Sequence, residues 1–224
     1  MSLVLKTVVS LVAVAVCMGL LLFLPAGTLH YPLGWTYLAV YVVTSLLICV
    51  YLLRRDPELL KRRLSGGPTA EKRPAQKVVM LFASLGFISL LVIAGFDHRY
   101  HWSHVNIVVA ALGNCLVALG MYLVLLVFRE NTFSSATIEL AENQKVISTG
   151  PYAIVRHPMY ACSFVYLVGM PLALGSYWGL IGLGATLPVL IWRLLDEEKF
   201  LADNLAGYRD YQKKVQYRLV PYVW

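Results

Sequence analysis

Acidic residues are scarce in this chain, 12 Asp and Glu among 224 residues, and charged side chains of both signs together reach only 14%. A sequence that is 59% hydrophobic cannot hide that much apolar surface inside a water-soluble domain, so the chain is expected to sit in a membrane. Cysteine is sparse too. Cys17, Cys49, Cys115 and Cys162 stand singly in or near apolar stretches, which suggests packing residues and neither a CxxC zinc pair nor a disulfide framework. No internal repeat is visible, and the closing PYVW is no lipidation signal. The alternating apolar and polar pattern of a lipid-facing barrel strand is missing as well. That leaves helices, whose backbone satisfies its own hydrogen bonds where there is no water.

What is present is a series of apolar stretches at 8–24, 34–53, 78–96, 105–128, 159–174 and 177–195, near the roughly 17 to 25 residues that cross about 30 Å of hydrocarbon as helix. They predict an all-α, polytopic integral membrane bundle of about five to six transmembrane helices, ending in a helical hairpin and a cytoplasmic tail. The first stretch exceeds a usual signal-peptide core and no small-x-small site follows Leu24, so it reads as a retained helix. Two regions are expected: membrane helices over 1–128, with a basic loop at 54–76, and a catalytic region over 129–224.

If the amino terminus faces the cytoplasm, 18 of the 19 Lys and Arg lie on inner segments and only Arg99 lies outside. This is the positive-inside asymmetry. Membrane lipids, whose anionic headgroups meet basic residues at helix ends, account for the net charge of +7 without nucleic acid as a partner. Both termini, and the polar stretches GPYAIVRHPMY and DEEKF, then fall on the cytoplasmic side.

In the basic loop, Asp56 and Pro57 supply a cap and a first helical residue, predicting a short helix to Leu64 that Gly66, Gly67 and Pro68 break. Leu59, Leu60 and Leu64 would rest on the membrane while Lys61, Arg62 and Arg63 reach headgroups. A substrate gate is the other reading. The fifth and sixth stretches are separated only by Gly175 and Ser176, which requires a tight antiparallel hairpin. Its first arm, at about 1.5 Å per residue, reaches only about 24 Å, so the hairpin either dips or spans. In both cases the segments before Met159 and after Leu195 share one face.

The loop from Asn131 to His157 is the longest polar insertion between helices, and long ordered loops are often functional. Gly150-Pro151 is a turn signal and His157-Pro158 a helix start. Tyr152, Arg156, His157 and Tyr160 therefore gather at a helix N-terminus, where free amide groups favour an anion. A snorkelling arginine between two belt tyrosines fits the same pattern. In the final turn of the last membrane helix, Arg193, Asp196, Glu197 and Glu198 crowd together, with Arg193 and Glu197 on one face. Carboxylates gain nothing from a helix C-terminus, so they either balance a cation or form a solvated salt bridge. On the outer side, Asp97, His98, His101 and His104 tempt a metal reading, but an interfacial loop without metal is expected. Asn106 and Asn114 are expected to bond to neighbouring helices. The apolar residues Phe200, Leu201, Leu205, Tyr208 and Tyr211 predict a tail that packs back as a lid or lies as a surface anchor.

Together, QKVISTGPYAIVRHPMY, the short hairpin, RLLDEEKFL and GYRDYQKKVQYRLVP resemble the catalytic region of the isoprenylcysteine carboxyl methyltransferase family and its bacterial relatives. Phospholipid methyltransferases share a looser version. The resemblance covers about residues 137 to 222, and DPELLKRRL also resembles bacterial members. It implies S-adenosylmethionine as methyl donor and a lipophilic acceptor. By motif, Gln144, Lys145, Val146 and Ile147 match the stretch along the cofactor. Tyr152, His157, Pro158, Met159 and Tyr160 match further cofactor contacts, and Glu197 matches its acidic ligand. Arg193 matches a substrate-side arginine; with Glu198, which completes the glutamate pair, and Arg156, it is a candidate catalytic residue. Gln144 stands where the prenylcysteine enzymes carry a histidine-containing stretch. The expected reaction is in-line methyl transfer to a carboxylate. The alternatives are an ethanolamine phospholipid acceptor, with Glu198 or His157 as base, and a sterol-type reductase using NADPH. A small transporter fits poorly, since the middles of the stretches are almost uncharged.

Overall fold

The computed structural model describes residues 2–66, 70–71 and 73–224; the expected break at Gly67 and Pro68 lies outside them. Among the described residues the chain forms α1 (Leu3–Ala26), α2 (Pro32–Arg55), α3 (Pro57–Leu64), α4 (Pro74–Tyr100), α5 (Ile107–Glu130), a 3-10 turn (Gly150–Ala153), α6 (Pro158–Ala173), α7 (Trp178–Asn204) and α8 (Tyr208–Lys214), with no strand. Proline opens α2, α3, α4 and α6, positions where its missing N–H costs no helical bond. The Ser2 hydroxyl and the Asn106 amide oxygen cap α1 and α5 by accepting from Leu5 N and Val108 N. Asn106 thus serves its own helix, and Asn114 donates to Ala110 O one turn back. Neither bonds to a neighbouring helix as expected.

Five helices, α1, α2, α4, α5 and α7, are long and apolar enough to cross a membrane; α6, with 16 residues, reaches about 24 Å. The chain is a multi-pass membrane protein. The largest departure from the sequence reading is in α7. Its 27 residues extend about 40 Å and run past Leu195 to Asn204, so Arg193 to Glu198 occupy an inner turn and not the helix end.

The packing decides where a site can form. A Cβ on Gly113 would stand 2.3 Å from the Ala173 amide nitrogen, and one on Gly169 2.7 Å from Gly113 O. Hence α5 and α6 touch backbone to backbone, as small residues permit in membrane helices. The second arm of the hairpin, α7, packs on α4 instead. The two arms lean on different partners, and a cavity opens between them.

At the hairpin's turn the bundle is pinned shut. Asp97 is 1% exposed and accepts from Ser103 N, Ser103 Oγ and Ser176 Oγ, while His98 stacks on Tyr31 at 3.9 Å. Both lie within α4, not in an interfacial loop. Removing the carboxylate would strand the buried Ser176 hydroxyl and two half-buried donors of Ser103. Asp97→Ala is expected to cost about 3 kcal/mol, read as a lower unfolding midpoint in detergent with ligand binding at the far end of the bundle retained.

At the opposite, basic end, the Asp56 carboxylate accepts from Leu59 N at 2.9 Å and starts α3 as expected. The burial is a correction: Leu59 and Leu60 are not against lipid but packed inside against Ile48, Leu52, Val124, Val127 and Phe128. The helix is part of the core. Its arginines consequently point at the 131–149 loop.

Candidate active site

The loop after α5 is held from three sides. Arg62 donates to Thr132 O, and Arg63 Nη1 to Ser135 O at 2.8 Å. Glu71, fully buried in the connector between α3 and α4, accepts from Ile138 N. Asn131 Nδ2 donates to the Tyr152 hydroxyl at 2.8 Å. The Gly150-Pro151 turn forms as expected: Gly150 adopts φ 55, and a Cβ there would also meet Glu130 Oε2 at 2.8 Å, so only glycine fits.

The arginine-histidine-proline turn is clamped by the tail. Arg156 N donates to Tyr217 O at 2.9 Å and His157 N to Arg218 O at 3.0 Å. The Arg156 guanidinium is buried, donating from Nε to Glu198 Oε1 at 2.6 Å and from Nη1 to Val215 O and Gln216 O; it does not snorkel. Glu198 Oε2 accepts from Arg218 Nε at 2.7 Å. The Tyr211 hydroxyl reaches Tyr152 O at 2.7 Å, and Tyr208, Tyr211 and Val215 form a small core with Val146 and Tyr152. Burial pushes the Tyr152 hydroxyl up to about 12, despite the hydrogen bond from Asn131; burial also raises Tyr208 and Tyr211. All three are neutral near pH 7. The tail therefore packs back on the loop and turn.

Consecutive residues on a helix point about 100° apart, so the glutamate pair divides. Glu198 faces the tail. Glu197 faces the cavity and accepts from the Tyr160 hydroxyl at 2.5 Å. One turn earlier, Arg193 makes no bridge to Glu197 and instead pairs with Glu71 Oε1 at 2.8 Å, donating also to Gln76 Oε1 and Ala136 O. Asp196 takes Arg73 at 2.6 and 3.1 Å together with Gln76 Nε2. The cluster thus ties the connector to α7; it is neither a solvated salt bridge nor a free helix end.

Between these parts lies a cavity of about 400 Å³. Of the residues singled out from the sequence, Gln144, Lys145, Val146, Ile147, Tyr152, Arg156, His157, Pro158, Met159, Tyr160, Arg193 and Glu197 line it, and Glu198 stands behind its wall. One half is polar. The other half is walled by Met80, Phe87 and Leu90 of α4, Phe164 and Leu167 of α6, and Leu183, Leu187 and Leu190 of α7. This apolar limb ends on Leu90, Leu167 and Leu183, which belong to the packed core.

The polar half holds two buried atoms without partners among the described residues. His157 Nε2 and the Tyr208 hydroxyl are buried without a hydrogen-bond partner among the described residues. Glu198 stands 3.7 Å from that nitrogen, too far to satisfy it. Buried polar atoms are seldom left unpaired, and these two line the cavity beside the Glu197 carboxylate. Arg63, Glu71 and Gln76 were missed in the sequence. Arg63 resembled any other basic residue of a membrane-facing loop, and no spacing ties Glu71 or Gln76 to an arginine more than a hundred residues later.

Two comparisons bear on this geometry. Residues 108–206 match the phospholipid methyltransferase family, a stretch that runs from α5 through the loop, the hairpin and the glutamate pair. The nickel-cobalt-cadmium resistance protein NccN of Alcaligenes xylosoxydans xylosoxydans is 28% identical over 133 residues, 57% of this chain and 58% of that protein. The chain thus matches a little over half the length of this curated relative.

Proposed function

We infer from a segment of the phospholipid methyltransferase-like superfamily, set among five long apolar helices, that this membrane methyltransferase uses S-adenosylmethionine to methylate the carboxylate of a lipophilic acceptor. The observation that carries the reading is the two-part cavity. A polar chamber at the basic end of the bundle runs into an apolar limb between α4, α6 and α7. A water-soluble donor and a lipid-soluble acceptor need such a meeting place. By the positive-inside rule the chamber opens to the cytoplasm.

The donor, when bound, supplies an activated methyl group on a cationic sulfonium. The protein's contribution is position and electrostatics. Glu197, oriented by Tyr160, offers a carboxylate to the cation and its hydroxyl groups. His157 Nε2 and the Tyr208 hydroxyl offer buried polar atoms, and the 144–147 segment a wall. Glu198, Arg156 and Arg218 fix the tail that closes the chamber and excludes water. Arg193, held by Glu71 and Gln76, fixes the loop at Ala136 on the acceptor side. A carboxylate, with a reference pKa of about 4, is already ionised near neutral pH and needs no base. An ethanolamine acceptor needs one, and both oxygens of Glu198 are already occupied by arginines. That favours the carboxylate.

Titration calorimetry on the purified chain is expected to show S-adenosylmethionine binding and no NADPH binding; the reverse result would establish the reductase. Labelled methyl transfer into a lipid extract is expected to yield a base-labile ester at a rate flat above neutral pH. A rate that climbs toward pH 9 or 10 would point to an amine acceptor. Leu187→Trp, which fills the apolar limb, is expected to reduce transfer at least about tenfold with donor affinity within about twofold of wild type. Equal losses of donor binding and transfer would mean that the limb does not hold the acceptor.

A further inference from the structure

Three arginines line the cavity; Arg156 is paired with Glu198 at 2.6 Å, and the other two differ in one respect. Arg193 is paired with Glu71 at 2.8 Å, and it also donates to Gln76 Oε1 and Ala136 O. Arg63 makes no ion pair among the described residues: its Nη1 donates to the uncharged Ser135 O at 2.8 Å, and its guanidinium lies 5.1 Å over the Phe128 ring. Burial, followed by the neighbouring charge of Arg193, pushes its pKa below the ordinary arginine value. The half-buried guanidinium does not give up its proton, so its charge favours an anion. Its electrostatic neighbours are Tyr160 and Glu197 on the polar side and Tyr166 on the apolar side. Arg63 therefore stands where the polar chamber meets the apolar limb.

We propose that Arg63 is the receiving cation for the acceptor's head group, making the acceptor an amphiphile with an anionic oxygen group, a carboxylate or a phosphate, whose tail occupies the limb between α4, α6 and α7. This rests on the reading of the limb as the acceptor site. It moves head-group recognition from Arg193, whose charge is paired with Glu71, to a residue of the DPELLKRRL stretch in α3. A guanidinium presents a planar fork of donors that matches either anion. The ring of Phe128 and the Ser135 carbonyl hold that fork without neutralising it. With Arg193 paired to Glu71, Arg63 is the arginine left to meet a head group, and its charge disfavours a cationic one.

The test uses the full chain in neutral detergent, without methyl donor. Alkyl carboxylate, alkyl phosphate, alkyl alcohol and alkyl trimethylammonium of one chain length are compared by binding affinity. Wild type is expected to bind one or both anions at least about tenfold more tightly than the alcohol and the ammonium. A preference for the carboxylate alone identifies a fatty or prenyl acid type of head, and one for the phosphate alone a phospholipid type. Arg63→Met is expected to abolish the preference, and Arg63→Lys to retain part of it. An alcohol that binds as well as the anions, or a preference that survives Arg63→Met, overturns the proposal. If Arg63→Met does not fold, a preference equal to wild type in Arg63→Gln overturns it instead. Failure of wild type to bind S-adenosylmethionine would sink the methyltransferase reading and leave the head-group preference measurable.

Discussion

Glu198→Ala is expected to lower the unfolding midpoint by about 10 °C or more and to release the tail, a loss of stability and not only of turnover. The carboxylate is 5% exposed and joins three segments that are distant in sequence: α7, the arginine-histidine-proline turn through Arg156 at 2.6 Å, and the tail through Arg218 at 2.7 Å. Removing it leaves the Arg156 guanidinium buried with two carbonyls for partners and no counter-charge. Breaking a buried pair in this way costs about 3 to 5 kcal/mol, and each kcal/mol shifts the midpoint of a chain of this size by about 2 to 4 °C. The tail's backbone bonds to Arg156 N and His157 N depend on the same clamp, so proteolysis beyond Leu205 should accelerate. Glu198→Gln retains an acceptor and is expected to fall between the two. A Glu198→Ala protein that keeps its midpoint and tail protection while losing transfer would return Glu198 to the chemistry, as a base.

The helical, multi-pass architecture was legible because hydrophobic length reports directly on membrane crossing. The hairpin was legible because Gly175 and Ser176 leave no room for another topology. The meeting of the arginine-histidine-proline turn with the glutamate pair was legible through family resemblance and through that same hairpin, which returns the chain to its starting side. Three features were not. The extension of α7 to Asn204 was hidden because charge was read as the end of a helix, whereas Asp196 and Glu198 are charged and partnered by tertiary contacts. The inward burial of Leu59 and Leu60 was hidden because an apolar helix face looks the same against lipid as against α2 and α5. The pairing of Arg193 with Glu71 depends on how the connector folds back, which no local periodicity encodes. Arg63 was lost for a related reason: 18 of the 19 basic residues obey one topological rule, and that rule conceals the one whose position serves the cavity.

For Glu197 the expected result is the opposite of that for its neighbour: Glu197→Ala keeps the fold and loses the donor. Its carboxylate faces the cavity and its hydrogen bond is to the Tyr160 hydroxyl, so truncation removes one hydrogen bond and a carboxylate near Arg63 without breaking a direct ion pair. Charge-assisted hydrogen bonds contribute about 2 to 3 kcal/mol when desolvated, and each 1.4 kcal/mol is about tenfold in affinity. S-adenosylmethionine affinity is therefore expected to fall about 30-fold or more by calorimetry, with the unfolding midpoint close to wild type. Glu197→Gln separates the two components of the interaction: it keeps an acceptor for hydroxyl groups but removes the charge that faces a sulfonium. An affinity near that of Glu197→Ala would assign the effect to charge, and one near wild type to hydrogen bonding. Tyr160→Phe leaves the carboxylate in place but unoriented, and is expected to cost less, about three- to tenfold. Wild-type affinity in Glu197→Ala would remove this residue from the donor site and turn the search for the donor's counter-charge toward Glu139, which also lines the cavity.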